Sequence, residues 1–213
     1  MTFQPTLNRP IAGTPGIPMY LVGAAQDARS IYHDGSEIYG EGEPAGSLYM
    51  VEFGCVRIGR FTREGRRQVC GFSYAGDVFG WESESEHRFF AEAVGYSGIR
   101  VLRPSRDAEA CAKLFPLVIQ NLTRFQEHLL VLGKTIVDER LAAFLCDLAD
   151  RQGGVSQVEL PMTRSDIADY LGVSFETVSR ILRRFRDQGF VHVPDIHSIE
   201  ILDRPGLEAV CRR

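Results

Sequence analysis

The sequence predicts an α+β protein with three parts in order: a jelly-roll-like β-roll, a long dimerisation helix and a C-terminal winged helix-turn-helix. Three observations carry that expectation. Short apolar runs broken by Gly, Pro and charged residues recur at roughly 8 to 12 residues from about Ile31 to Leu102. A heptad seam of apolar residues follows. The stretch Thr163 to Arg186, TRSDIADYLGVSFETVSRILRRFR, then reads as two helices around a glycine turn.

The chain divides into an arm over 1–29, a β-roll over 30–105, a dimerisation helix region over 106–137 and a winged helix-turn-helix over 138–213. Pro5, Pro10, Pro15 and Pro18, with several Gly, mark the arm as extended. In the β-roll, SLYMVEFG, CVRIGRF, QVCGFSY and IRVL are strand-like. Gly42, Gly46, Gly54, Gly65 and Gly76 fall at or near the breaks, where tight turns are needed. Closing or doubling the sheet removes its edges, which favours a jelly-roll-like form.

After Arg103 and Pro104, a short polar helical stretch ends near Leu114. Pro116 then suits a helix start, because that position needs no backbone donor. Val118, Leu122, Phe125, Leu129, Leu132 and Ile136 step by 4, 3, 4, 3 and 4. Such a seam reads best as two copies of a helix pairing, here about 30 Å long at ~1.5 Å per residue, the alternative being a helix packed on its own β domain. Asp138 to Arg151 forms another amphipathic helix, with Leu141, Phe144, Leu145 and Leu148 in one stripe and Gly153–Gly154 at its end. VSQVELPM is a bridging strand, and FVHV with SIEIL makes the wing. Residues 203–213 carry no clear signal.

Within the helix-turn-helix, Thr163 with Asp166 matches a capping box, Gly172 stops the first helix and Ser174 caps the second. Val178, Ile181, Leu182 and Phe185 make the inward stripe of that second helix. Glu176, Arg180 and Arg183 face the other way, with Ser179 and Arg184 on the flanks. Arg donates two hydrogen bonds to guanine, Glu accepts from cytosine, and Ser does either. From Val173 to Arg186, four Arg against one Glu make a local charge of +3 in a chain of −4. That reversal is the footprint of phosphate binding, to which Thr163, Ser174, Thr177, Arg183 and Arg184 are assigned.

Whole-chain properties narrow the class. The 213 residues are 44% hydrophobic and 24% charged, as in ordinary soluble domains. A net charge of −4 argues against a histone-like coat on DNA. No run approaches ~18 apolar residues and the N-terminus lacks a signal-peptide layout, so a cytoplasmic chain without a membrane span is expected. Five cysteines, none closer than 15 positions to the next, make no CxxC motif and are expected as free thiols. Cys111 and Cys146 flank the dimer helix region, but nothing in the sequence signals a lowered pKa. The cupin alternative needs an HxH motif; His33, His87 and His128 stand alone, and His192 and His197 are too loosely spaced. No phosphate-binding or nucleophile motif occurs. Neither an enzyme nor a resident cofactor or metal is expected.

The order of parts, with SLYMVEFGCVRIGR, GRRQVCGFSYAGDVFG and ADYLGVSFETVSRILRRF, resembles the Crp/Fnr superfamily of bacterial transcription regulators over about residues 30–205. The resemblance implies a β-roll of the cyclic-nucleotide-binding type. The ExxSR pattern of Glu176, Ser179 and Arg180 looks like the Fnr and FixK branches. It implies a palindrome with TTGA-type half-sites, read by a homodimer. Arg180 would read guanine, Glu176 the paired cytosine and Ser179 a thymine neighbour. Phe175 stands where the family often carries an aliphatic residue facing a thymine methyl. The family's cyclic-AMP branch carries an Arg-Ser or Arg-Thr pair, whereas Arg88 is followed here by Phe89, and Glu82, Glu84 and Glu86 crowd the region. No cysteine precedes Cys55, so the N-terminal iron–sulfur set of Fnr is missing. What remains looks like FixK, controlling microaerobic respiration or nitrogen-fixation genes. An effector-gated regulator with an unidentified small ligand in its β-roll is the alternative. The loop Thr62 to Gln68 resembles in position a polymerase-contacting loop of Fnr proteins, which would assign Arg63, Glu64, Arg66 and Arg67 to RNA polymerase; its composition equally fits a plain charged hairpin turn.

Overall fold

The computed structural model describes residues 29–103 and 108–212. The arm expected before residue 29 lies outside them. Strands β1 (Arg29–Tyr32), β2 (Glu37–Tyr39), β3 (Leu48–Phe61), β4 (Arg67–Tyr74), β5 (Val78–Phe79) and β6 (Phe90–Leu102) form one antiparallel sheet. Its order is β1-β6-β3-β4, with β2 also on β6 and β5 on β3. The pairing of β3 with β6 slips register on both sides of Phe53. Such bulges bend a strand and raise its twist, which lets long strands roll into a closed form. Glycine permits the close approach at this corner. A Cβ on Gly54 would sit 2.3 Å from Ser97 Oγ, and one on Gly98 would sit 2.2 Å from the Phe53 ring. Val51, Val56, Phe79, Ala91 and Ile99 fill the inside of the roll.

Helix α1 (Ala108–Leu132) differs from the sequence expectation at both ends. It begins ahead of Pro116 and runs through it. The ring removes one intrahelical hydrogen bond, but Leu114 and Leu117 on either side pack against Leu48, Met50, Val78 and Leu102 of the roll and offset that cost. At the other end the helix stops at Leu132. Ile136 is therefore not on the seam helix; it is the extended N-cap residue of the next one. Gly133 closes the last turn, and the chain then changes direction.

Helix α2 (Val137–Arg151), β7 (Gln157–Glu159), α3 (Arg164–Leu171), α4 (Phe175–Asp187), β8 (Val191–His192), β9 (Ser198–Ile201) and α5 (Arg204–Cys211) complete the chain. The wing sheet has the order β7-β9-β8. α5 was not anticipated, although its cues are local. Asp203 caps it by accepting from Gly206 N–H at 2.9 Å, Pro205 sits in its first turn, and Leu207 and Val210 are buried. The core of this half joins Leu141, Leu145, Leu148, Ile167, Leu171, Val178, Ile181 and Phe185. It also reaches into the roll through Cys55 and Val94, with Phe72 and Tyr74 packed against it, so the two halves share one apolar junction.

Candidate nucleic-acid interface

The interface is built on α3 and α4. Thr163 closes the capping box with Asp166: its hydroxyl accepts from Asp166 N–H, and the Asp166 carboxylate accepts from Thr163 N–H. Gly172 adopts the left-handed conformation at φ 67°, which ends α3 without strain. Ser174 caps α4 by accepting from Thr177 N–H at 3.3 Å. Val178, Ile181, Leu182 and Phe185 are all buried, as the stripe predicted. With that face fixed, the outer face is set by the ~100° step. Glu176, Arg180 and Arg183 are exposed on it, and Phe175 is exposed at the edge of the inward stripe. Among the described residues, neither Arg180 nor Arg183 makes an ion pair or a hydrogen bond. Glu176's carboxyl is held below its ordinary value by its own backbone N–H and then by the Ser174 hydroxyl, so it stays an acceptor. An acceptor and two free cations on the first turns of one helix can meet base edges and phosphates.

Other assigned residues are engaged within the chain or covered by it. Arg184 donates to Asp138 at 2.6 Å, so α2 holds the group that was expected at phosphate. Ser179's hydroxyl is covered and has no hydrogen-bond partner. The hydroxyls of Ser174 and Thr177 lie 3.1 Å from each other, and that of Thr163 serves its own cap.

Thr62 to Arg66 forms a charged hairpin turn between β3 and β4, with Gly65 at φ 74°. Arg63, Glu64 and Arg66 are exposed there. Arg67 is not. Its guanidinium turns to α3, meeting Asp166 at 2.6 Å and Asp169 at 2.8 Å. Burial alone would lower its pKa, but the Asp169 and Asp166 carboxylates outweigh that and raise it. Arg57 reaches the same Asp166 at 3.1 Å while holding Glu92 at 2.7 Å. Asp166 thus does two jobs: it caps α3, and it takes both arginines from the roll. Sequence reasoning found the first job and missed the second, because nothing local marks Arg57 or Arg67 as partners of a residue about a hundred positions away.

Helix α1 presents two seams one residue apart. Leu114, Leu117, Asn121, Arg124, His128 and Val131 turn inward. Asn121 donates to Val78 C=O at 3.1 Å, and Arg124 pairs with Asp77. His128 stacks on Tyr170 of α3 with ring centroids 4.0 Å apart. Burial lowers its pKa to about 4, so it is neutral at neutral pH. Val118, Leu122, Phe125 and Leu129 of the expected seam are exposed, and Phe115, Ile119 and Leu130 widen the apolar face.

The family models that match are a Crp-like helix-turn-helix domain over residues 139–210 and a cyclic nucleotide-binding domain over residues 29–108. The nitrogen fixation regulation protein FixK of Rhizobium meliloti is 41% identical over 180 residues, covering 84% of this chain and 85% of that protein. The chain belongs to the Crp/Fnr superfamily, in its FixK branch. The FixK of Azorhizobium caulinodans is 40% identical over 200 residues, 87% of this chain and 80% of that one. Among solved structures, FixK2 from Bradyrhizobium japonicum superposes with a TM-score of 0.79 at 35% identity, over 86% of this chain and 96% of that one. This FixK-like protein is a DNA-binding transcription regulator and not an enzyme.

Around the family's nucleotide site, Arg88 is exposed and paired with Glu84 at 3.3 Å. Its backbone N–H donates to Glu82. Among the described residues, no cluster of His, Cys, Asp and Glu could hold a metal ion, and no helix is long and apolar enough to cross a membrane.

Proposed function

We propose that two copies of this chain pair through the outer seam of α1 and bind a TTGA-type palindrome in cytoplasmic DNA. The observation that carries the DNA contact is the outer face of α4: Glu176, Arg180 and Arg183 are exposed, and neither arginine is engaged elsewhere in the described residues. Arg180 reads guanine, Glu176 the paired cytosine, and Phe175 packs on a thymine methyl. Arg183 contacts phosphate, while Arg184 reaches it only by leaving Asp138. The names of the FixK relatives support regulation of nitrogen fixation as the output, and microaerobic respiration genes are the second class of target this reading takes. Arg63, Glu64 and Arg66 remain the hairpin's candidates for RNA polymerase, with Arg67 withdrawn to the junction.

Selection of bound sites from random DNA tests this reading in one experiment. Two TTGA-type half-sites related by a two-fold axis are expected; a single half-site, or no consensus, would overturn it.

The effector-gated alternative has one observation in its favour. A cavity of about 230 Å³ lies between β4, α1 and α3, lined by Cys70, Phe72, Phe89, Arg124, His128 and Tyr170 among others. It is smaller than the few hundred Å³ that ligand pockets usually offer, and Asp77 already pairs with Arg124 and sits 3.7 Å from Arg151. Native mass spectrometry of freshly purified protein separates the readings: an apoprotein mass supports the effector-free regulator, and added ligand mass supports gating.

A further inference from the structure

Cations from three elements gather at the joint, residues 133–136, where α1 gives way to α2. Gly133, Thr135 and Ile136 of the joint are exposed, so burial of the joint itself does not set its direction. Arg140 of α2 holds it most directly. Its guanidinium donates through Nε to the Lys134 C=O at 2.8 Å and through a terminal nitrogen to the Leu171 C=O at 3.1 Å. The first carbonyl belongs to the joint, and the second to the last residue of α3, directly before the Gly172 turn. One planar fork therefore ties the exit of the seam helix to the turn that launches α4. Two further contacts brace the same place. Arg184 of α4 pairs with Asp138 in the first turn of α2. Lys134 bonds the Cys211 C=O at the end of α5 and lies 3.8 Å from the buried Glu139 carboxylate. α3 and α4 behave as one piece, because Val173 N–H in their turn donates to the Ala168 C=O and their apolar faces share a core. The His128–Tyr170 stack also joins α1 to α3. Flat rings can slide over one another, whereas an arginine fork fixes direction as well as distance.

We infer that Arg140 is a positioning residue for DNA recognition: it fixes the angle between the dimer helix and the recognition helix, and so sets the spacing of half-sites that the dimer accepts. The inference rests on the proposed pairing of two copies through α1. Around a two-fold axis along that seam, a shift of α4 in one chain is mirrored by the partner's, so the separation of the two recognition helices changes by twice the shift. Half-sites one helical turn apart lie ~34–36 Å apart over ~10–10.5 base pairs, so one added base pair moves a half-site by roughly 3.4 Å and turns it by roughly 35°. A stiff joint rejects that change, and a slack joint follows it.

The test measures binding of the full chain to palindromes that differ only in spacer: the optimum, and those one base pair shorter and longer. A lone half-site and a copy with each guanine replaced serve as references. Wild-type protein should favour the optimum by about tenfold or more, since the other DNAs must be twisted back into register. Arg140→Ala should cut that ratio to about threefold or less, while the guanine preference keeps its wild-type value. Loss of folded protein alone lowers affinity for every DNA by the same factor, so the spacer ratio reports position and not stability. Arg140→Lys keeps the charge but serves one carbonyl at a time, so its ratio should fall in between, and it decides the matter if Arg140→Ala does not fold. An unchanged spacer ratio in the folded variants, or a guanine preference lost in step with the spacer ratio, would overturn the inference. So would wild-type protein that demands two half-sites yet is indifferent to their spacing. Wild-type protein that binds the lone half-site as tightly as the palindrome would instead sink the dimer reading, and this inference with it.

Discussion

Helices α1 and α4 are both amphipathic, and they dispose of their apolar faces in opposite ways. On α4, Val178, Ile181, Leu182 and Phe185 are 1 to 3% exposed, sealed into the core of their own chain. On α1, Val118, Leu122, Phe125 and Leu129 are 39 to 53% exposed. The difference separates two kinds of function. A helix whose apolar face is satisfied at home has its polar face left for a ligand. A helix whose apolar face stays open needs a partner of the same character, and a second copy brings an identical seam. Because α1 uses its neighbouring inward seam to hold Asp77, Val78 and Tyr170, pairing through the outer seam requires no rearrangement of the chain.

The largest expected effect breaks the α1 side of this contrast. Leu129→Asp places a carboxylate where the partner's apolar seam should lie, at a desolvation cost of several kcal/mol for each copy. Sedimentation should show monomers, and tight binding to a full palindrome should vanish with the dimer. Because Leu129 is exposed in one chain, thermal unfolding of the monomer should hardly change. An intact dimer in that variant would move the interface elsewhere.

The opposite pattern is expected on α4. Phe185→Ala empties a core position that also contacts Phe190. Unfolding in urea should show a loss of about 3–5 kcal/mol, with any weakening of DNA binding following from stability. A loss below about 1 kcal/mol would mean that the stripe is not the packed surface it looks like.

How much of this contrast was readable in the sequence depends on how local each signal is. The stripe of α4, its Ser174 cap and the Gly172 stop were legible, because they depend on residues within one or two turns. The seam of α1 was legible as a period of 3.5. Its end was not: Ile136 keeps the spacing, but Gly133 breaks the helix before it. The inward seam went unseen because Asn121, Arg124 and His128 are polar, and a search for apolar periodicity passes over them. The partners of Arg57, Arg67 and Arg184 were illegible for a different reason. An arginine bound for DNA and an arginine bound for a distant Asp have the same side chain, and only long-range packing tells them apart.

That distinction can be tested at the junction. Asp166 is 1% exposed and holds Arg57, Arg67 and the Thr163 cap. Asp166→Ala should cost about 3 kcal/mol in urea unfolding, since it strips a carboxylate from two partly buried guanidinium groups and removes half of a capping box. Arg180→Ala, by contrast, should leave stability within about 0.5 kcal/mol, as expected of an exposed side chain without internal partners. Equal losses from the two substitutions would erase the difference between structural and ligand-directed charges.

The smallest effects separate the arginines of α4 from one another. If Arg180 meets guanine through two hydrogen bonds, Arg180→Ala should cost about 1–3 kcal/mol per half-site and relax preference at that base pair. Arg183 has no such geometry to satisfy, so Arg183→Ala should weaken all sequences alike and make the salt slope shallower by about one for each phosphate it no longer neutralises. Arg184→Ala should behave differently again. It removes a cation already paired with Asp138, so the salt slope should change less than for Arg183→Ala. The three substitutions delete the same formal charge, which makes net charge a constant of the comparison. Binding to a TTGA palindrome, and to a copy with each guanine replaced, across several salt concentrations distinguishes them. If Arg180→Ala loses the same affinity for both DNAs, its role is phosphate contact. If Arg184→Ala flattens the salt slope as much as Arg183→Ala does, the Asp138 pair opens when DNA arrives.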